Sequence, residues 1–217
     1  MKKQILRFID WFGSWRYYLT GRLYYYGFSA HRDDYMRLVA RLERIRLQRP
    51  LRILEIGTFR GHSALLWEEF GDVTCIDAWT DPLTYAIFKR NVRLAGKGRI
   101  EHIRADSREG MLSLIGKFDL IYIDAGHDYE NCYGDLCRSI PLLTDGGILC
   151  GDDLQFQSHE LCWPTAAWVS RIDFDWCPGV TRAVAEVLGP VWCKNAFFAV
   201  RYREGRFVPY TLFGAIQ

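Results

Sequence analysis

From residue 31 onward the apolar positions Tyr35, Leu38, Val39, Leu42 and Ile45 recur at helical spacing, with Arg37, Arg41 and Arg44 on the opposite face. Pro50 closes that helix. The rhythm then shortens into β-like runs over 51–56, 73–77, 99–104, 118–124 and 147–152. These alternate with helical stretches over 61–70, 81–95, 107–114 and 128–143. Such alternation predicts an α/β protein with a parallel sheet wrapped by helices. Residues 154–178 break the pattern with Phe156, Trp163, Trp168, Phe174 and Trp176 in a stretch without periodicity, a length of loop that usually carries function or is disordered. Beyond it, 179–188 reads as a helix. Segments 196–202 and 206–213 read as an antiparallel hairpin turning at Glu204-Gly205.

Local chemistry sets several boundaries. Asp81-Pro82 has the form of an N-cap followed by proline at the first helical position, with Leu83, Ala86, Ile87 and Leu94 as the buried stripe and Gly96 as the stop. Asp128 likewise caps a helix whose Tyr133, Leu136, Cys137, Ile140 and Leu143 are expected inside, and Gly146-Gly147 is expected to turn the chain into the next strand.

With 217 residues, 49% of them hydrophobic, the chain is long enough for one substantial core, which sets disorder, collagen and coiled coil aside. Its apolar runs are too short to span a bilayer. After Met1-Lys2-Lys3, the charges of Arg7 and Asp10 interrupt any apolar core and no small-residue cleavage site follows, so no secretory signal is expected. Seven scattered cysteines (75, 132, 137, 150, 162, 177 and 193) contain no C-x-x-C pair and suggest reduced thiols, hence a cytoplasmic protein.

The net charge of +2 hides two unlike segments: residues 1–49 carry +7 and residues 50–217 carry −5. Ten of the first 28 residues are Phe, Trp or Tyr. The chain therefore divides into a basic, aromatic-rich helical extension (1–49) and an acidic α/β domain (50–217).

In an open α/β sheet, ligands bind outside the carboxyl ends of the strands, and here those ends are polar. The first strand runs into Glu55-Ile56-Gly57-Thr58-Phe59-Arg60-Gly61-His62-Ser63, where two glycines permit close backbone approach and the next helix offers free N–H groups to a carboxylate. This is neither the G-x-G-x-x-G dinucleotide pattern nor a P-loop, and a plain strand-to-helix turn has the same appearance. The second strand ends at Asp77, placed to accept hydrogen bonds from ribose hydroxyls. Asp106-Ser107 after the third strand suits an adenine edge or a helix cap. Together these ends imply a nucleoside-containing ligand. Asp124, three residues before His127, and Asp152-Asp153 close the next two strands. Three converging carboxylates would repel, and a hard divalent cation such as Mg²⁺ is one resolution; a cap at Asp153 with surface acids is the other. His127 is read as a base titrating near neutrality or as a cap on the helix at Asp128.

With those residues together, the chain resembles the class I S-adenosylmethionine-dependent methyltransferases, specifically the metal-dependent small-molecule O-methyltransferases of the catechol and the macrolide-sugar and cephamycin-related types. The resemblance covers roughly residues 50–215. It rests on Glu55-x-Gly57-x-x-x-Gly61-x-Ser63, Asp77, Asp106-Ser107, Asp124-x-x-His127-x-Tyr129-Glu130, Pro141-Leu142-Leu143, Gly146-Gly147 and Asp152-Asp153. It implies a Rossmann-like seven-stranded sheet of order 3-2-1-4-5-7-6 with strand 7 antiparallel. It also implies that Glu55, Gly57 and Ser63 hold the methionine part of S-adenosylmethionine, Asp77 the ribose, and Asp106 with Ser107 the adenine, with Thr58, Gly61, Ala78 and Asp124 also among the cofactor-binding residues. Asp124, Asp152 and Asp153 match metal ligands, and His127 matches the general base of the macrolide-sugar enzymes. Gly126 stands where relatives often have a competing Asp, and Asp152-Asp153 leans toward the sugar and natural-product branch over the catechol type.

The expected activity is metal-assisted O-methylation of a small-molecule hydroxyl, with loop 154–178 and the amino-terminal helices selecting a sugar or natural-product polyol. Trp163, Trp168 and Trp176 either stack on that acceptor or pack the loop. A non-catalytic S-adenosylmethionine-binding or scaffolding module is the rival reading, and a nucleotide-dependent oxidoreductase is disfavoured by the missing dinucleotide fingerprint. The acidic sheet domain would repel nucleic acid. Residues 1–28 are expected to cap the acceptor site and pair subunits into a homo-oligomer, to touch an anionic membrane, or to meet another acidic partner.

Overall fold

The computed structural model describes residues 30–158 and 176–211. The aromatic segment 1–28, Trp163, Trp168 and the end of the expected hairpin lie outside the described residues. In chain order the elements are α1 (Ala30–Leu47), β1 (Leu51–Ile56), α2 (His62–Trp67), β2 (Gly71–Asp77), α3 (Pro82–Ala95) and β3 (Ile100–Arg104). Next come α4 (Ser107–Leu112), β4 (Phe118–Ile123), α5 (Tyr129–Ser139), a 3-10 turn (Ile140–Leu142) and β5 (Leu143–Gly151). The last are α6 (Pro178–Val187), β6 (Trp192–Lys194), β7 (Phe197–Arg203) and β8 (Arg206–Pro209).

The sheet order is β3-β2-β1-β4-β5-β7-β6, as the resemblance implied, and β7 runs antiparallel to β5. An eighth strand joins it: β8 pairs with the Val200–Arg203 part of β7 and β6 pairs with the Phe197–Ala199 part. The central strands β1 and β4 carry apolar residues on both faces because helices cover both sides. One core lies under α1, α2 and α3 around Met36, Val39, Trp67, Phe88 and Tyr122. The other lies under α4, α5 and α6 around Ile121, Leu136, Leu149 and Val184.

Several expectations change. In α1 the buried face is Met36, Val39, Ala40 and Glu43, while Leu38 and Ile45 are exposed. Glu43 sets that phase: its carboxylate takes Nη2 of Arg201 at 2.5 Å, Nε of Arg46 at 2.7 Å and the Tyr210 hydroxyl at 3.1 Å. In α3 the inward residues are Thr84, Ile87, Phe88 and Asn91, and Leu94 is exposed. In α5 they are Cys132, Asp135, Leu136 and Ser139, with Tyr133 exposed. Strand β5 already begins at Leu143, so Gly146-Gly147 forms an irregularity inside the strand, between the Phe118–Leu143 and Leu120–Ile148 pairs, instead of a turn before it. The caps at Asp81 and Asp128 are found: Asp81 accepts from Leu83 and Thr84 N–H, and Asp128 from Asn131 N–H.

Candidate active site

A crevice of about 660 Å³ opens at the carboxyl ends of β1, β2, β4 and β5, a volume ordinary for a small-molecule site. Gly57, Thr58, Ser63, Asp77, Ala78, Asp106, Ser107, Asp124, His127, Asp152 and Asp153 all line it. Gly61 and Glu55 do not. Gly61 instead N-caps α2 in a left-handed conformation. Glu55 is fully buried, and burial pushes its carboxyl up to about 7, although hydrogen bonds with Ser63, Cys75 and Thr58 pull the other way. Its Oε2 accepts from Cys75 Sγ at 3.4 Å, and the side chain lies outside the crevice.

The β1–α2 loop is held from the side. Asp77 Oδ2 accepts the backbone N–H of Thr58 at 2.9 Å and of Phe59 at 2.8 Å, while its Oδ1 accepts that of Trp79 at 2.7 Å. Trp79 closes the ring by donating Nε1–H to the Phe59 carbonyl at 2.6 Å. Gly57 has φ +87, and a Cβ there would lie 2.0 Å from the Asp124 carbonyl oxygen, so only glycine lets β1 and β4 approach so closely at the crevice floor. Phe59, Trp79 and Asp153 are non-glycine residues at positive φ around this crevice, the kind of local strain that gathers at functional sites.

On the far wall, Asp106 caps α4 through Arg108 N–H at 3.0 Å, and Ser107 donates to Asp135 Oδ1 at 2.6 Å. Asp135 is buried, which raises its carboxyl above the usual range. Sequence reading missed it. The signal was an acid set among the apolar positions Cys132 and Leu136 on the inward face of α5.

Five ionic groups form a chain across the ends of β4 and β5. Arg32 Nη1 lies 2.8 Å from Asp152 Oδ2 and 3.6 Å from Asp124 Oδ2. His127 Nε2 lies 2.8 Å from Asp153 Oδ2 and 3.8 Å from Asp124 Oδ1. Tyr122 donates its hydroxyl to Asp124 Oδ2 at 3.1 Å. Burial, and then the neighbouring Asp124, push Asp152 up to about 6 against the pull of Arg32. Asp124 and then Asp153 hold the His127 proton and push its titration up to about 11, against the cost of burial. His127 is thus an imidazolium near neutrality, which corrects the expectation that it titrates there. The cause is its two carboxylate neighbours. Arg32 was missed altogether; it reaches Asp152 from 120 positions away in sequence. Beside it Asp33 accepts from His62 Nε2 at 2.5 Å, so the first turn of α1 is tied both to α2 and to the strand ends.

These contacts also bear on the divalent cation implied by the resemblance. Among the described residues, the three ligand-type side chains that come close enough to share one ion are His127, Asp153 and Cys177, whose imidazole and thiol do not suit Mg²⁺. Asp152 and Asp124 share the Arg32 guanidinium. As arranged, the carboxylates do not fit a Mg²⁺ site.

Comparison with known proteins covers the strands and loops that form the crevice. Residues 54–154 match the family model described as a methyltransferase domain. The chain is 34% identical over 112 residues to O-methyltransferase hkm8 of Aspergillus hancockii, across 48% of this chain and 43% of that one. It is 32% identical over 111 residues to O-methyltransferase ankF of Aspergillus thermomutatus, across 49% and 46%. The chain thus spans somewhat under half the length of the curated relatives it matches. The fold superposes on the S-adenosylhomocysteine-bound methyltransferase PaMTH1 of Podospora anserina with TM-score 0.61 at 22% identity, covering 82% of this chain and 80% of that one. The sheet order is that of class I S-adenosylmethionine-dependent methyltransferases, and residues 54–154 are similar to a methyltransferase domain. Within that class, its curated relatives are O-methyltransferases.

Proposed function

We propose that this chain transfers the methyl group of S-adenosylmethionine to a hydroxyl of a small molecule, with sugars and natural-product polyols as the acceptor class. The observation that carries the reading is the glycine-floored loop 57–63 between Asp77 and Asp124, open to a crevice with Asp106 and Ser107 on its far wall. Gly57, Thr58 and Ser63 hold the methionine part there, Gly61 shaping the turn. Asp77 and Ala78 meet the ribose, Asp106 and Ser107 the adenine, and Asp124 the amino group.

When bound, the cofactor supplies an electrophilic methyl on a sulfonium whose positive charge is stabilised by nearby carboxylates. The side chains of the crevice then have two roles. One is to hold an acceptor oxygen in line with that methyl, since methyl transfer is an in-line displacement governed by orientation. The other is to take the hydroxyl proton, and it falls to His127. As an imidazolium paired with Asp153, His127 must first release its own proton to solvent before it can accept another, and a cationic ligand beside Asp124 eases that release. No step in this reading passes through a metal. A cytoplasmic setting and pairing of subunits through residues 1–28 remain part of the proposal; no helix among the described residues is long and apolar enough to cross a membrane.

Calorimetric titration with S-adenosylhomocysteine and, separately, NAD tests the cofactor assignment. Binding of the first alone is expected, and binding of NAD alone would overturn the reading. A screen of hydroxylated acceptors with methyl-labelled cofactor tests the second half; cofactor binding without turnover on any sugar, polyol or phenol would favour the non-catalytic module.

A further inference from the structure

The acceptor side of the crevice has three carboxylates on two adjacent strand ends, and something must offset their repulsion. The structure supplies it from within the chain. Arg32, on the first turn of α1, is 12% exposed at its side chain and directs one guanidinium nitrogen at both Asp152 and Asp124. His127 serves Asp153. An arginine remains charged at any accessible pH and presents several N–H donors in a fixed fork. A divalent ion placed on Asp124 and Asp152 would meet that charge at contact distance and be repelled by it.

We infer that Arg32 is the resident cation of this crevice, bridging the ends of β4 and β5 and orienting the acceptor side in place of a divalent metal. The inference rests on reading the crevice as a methyltransferase site, and adds that the site is complete without a metal ion. Arg32 is a positioning residue here: it acts on the acceptor through Asp152 and Asp124. It also explains why α1 is tied to the sheet domain by its first turn. Asp33, next in sequence, bonds His62 on α2, so the helix that delivers the guanidinium is fixed at its delivering end. A role limited to holding the fold would predict loss of stability on removing Arg32. The resident-cation role predicts that its removal exposes a binding site for another cation.

Mn²⁺ is the probe, followed by electron paramagnetic resonance on the chelator-treated 217-residue chain, with and without S-adenosylhomocysteine. Wild type is expected to leave Mn²⁺ free up to about 1 mM. Arg32→Ala and Arg32→Gln are expected to gain at least about tenfold in Mn²⁺ affinity, and Arg32→Lys, which keeps a cation, to gain none. Stoichiometric Mn²⁺ binding by wild type in the micromolar range would overturn the inference. So would the absence of any gain in both neutral variants, since the carboxylates would then form no cation site at all. If both fail to fold, the wild-type titration alone decides. Failure of every protein to bind S-adenosylhomocysteine strikes the proposed function and leaves the Mn²⁺ result readable.

Discussion

His127 Nε2 and Asp153 Oδ2 are 2.8 Å apart, with Asp124 on the other side of the same imidazole. The pairing makes His127 a cation in the free protein and gives its titration a direction. The unfolded chain releases this proton near the ordinary histidine value, whereas the folded chain keeps it to about pH 11. The pairing therefore adds its full stability below about pH 6.5, and that contribution fades as pH rises toward 11. Urea unfolding of wild type and His127→Gln at pH 6, 8 and 10 should show the gap narrowing with pH. Imidazole NMR should show the titration moving down toward neutrality in Asp153→Asn. A His127 signal that titrates near 6.5 in wild type would show that the pair does not form in solution.

Asp77 receives three backbone N–H groups from the loops that follow β1 and β2. Asp77→Ala leaves them without a partner, at a cost of roughly 1–3 kcal/mol for each group that water cannot reach. S-adenosylhomocysteine affinity should fall at least about tenfold, because the same change loosens the loop and removes the proposed ribose acceptor. If only affinity fell, with the unfolding midpoint unchanged, the brace would be refuted and the ribose role kept.

Gly57→Ala is expected to abolish S-adenosylhomocysteine binding. Its Cβ would stand 2.0 Å from a backbone carbonyl at the end of β4, which no side-chain rotation relieves, and its φ of +87 is itself unfavourable for alanine. Calorimetry on the purified variant checks this, with circular dichroism to confirm that the sheet persists.

Glu55 makes an opposite prediction to the surface acids. Its folded-state titration is pushed up to about 7 from an ordinary value near 4.5. Between those values the folded chain holds a proton that the unfolded chain has released, so stability falls as pH rises through that window and levels off above it. Glu55→Gln removes the penalty and should stabilise the protein at pH 8 by up to roughly 3 kcal/mol, with no gain at pH 4. Equal effects at both pH values would mean that Glu55 is already neutral, or is solvated, across the range.

The sheet was legible in the sequence because β1, β4 and β5 are covered on both faces and so read as short continuous apolar runs bounded by polar strand ends. The residues proposed for the cofactor were legible for the same reason: Asp77 and Asp124 stand where such runs stop. Strand β6, at three residues, is too short to show a period, and β8 ends at Pro209, before the alternation in the sequence does. The helix faces were misphased where a buried polar group decides orientation. Glu43 and Asp135 are drawn inward by Arg201 and Ser107, partners far away in sequence, and the only local mark of Asp135 is its place between Cys132 and Leu136. The acceptor side failed in the same way. Three clustered acids were visible, but Arg32 sits among helical arginines that otherwise face outward.

Glu43 offers the sharpest test of that long-range phasing. It is buried, and its two oxygens accept from Arg201, Arg46 and Tyr210, while Arg201 and Arg46 also donate to the Gly146 carbonyl at 2.8 and 3.1 Å. One carboxylate thus joins α1 to β7 and to the irregular part of β5. Glu43→Ala strands two guanidinium groups in a region shaped to neutralise them, and should cost about 3–5 kcal/mol. Removing Arg201 as well should recover part of that loss, because the two changes share one interaction and their effects are not additive. The far end of α1 carries Arg32, so helix and crevice are mechanically linked. Hydrogen exchange on Glu43→Ala should rise along α1. If it rose instead only around Gly146, α1 would be held by its apolar face and the carboxylate would serve β5 alone.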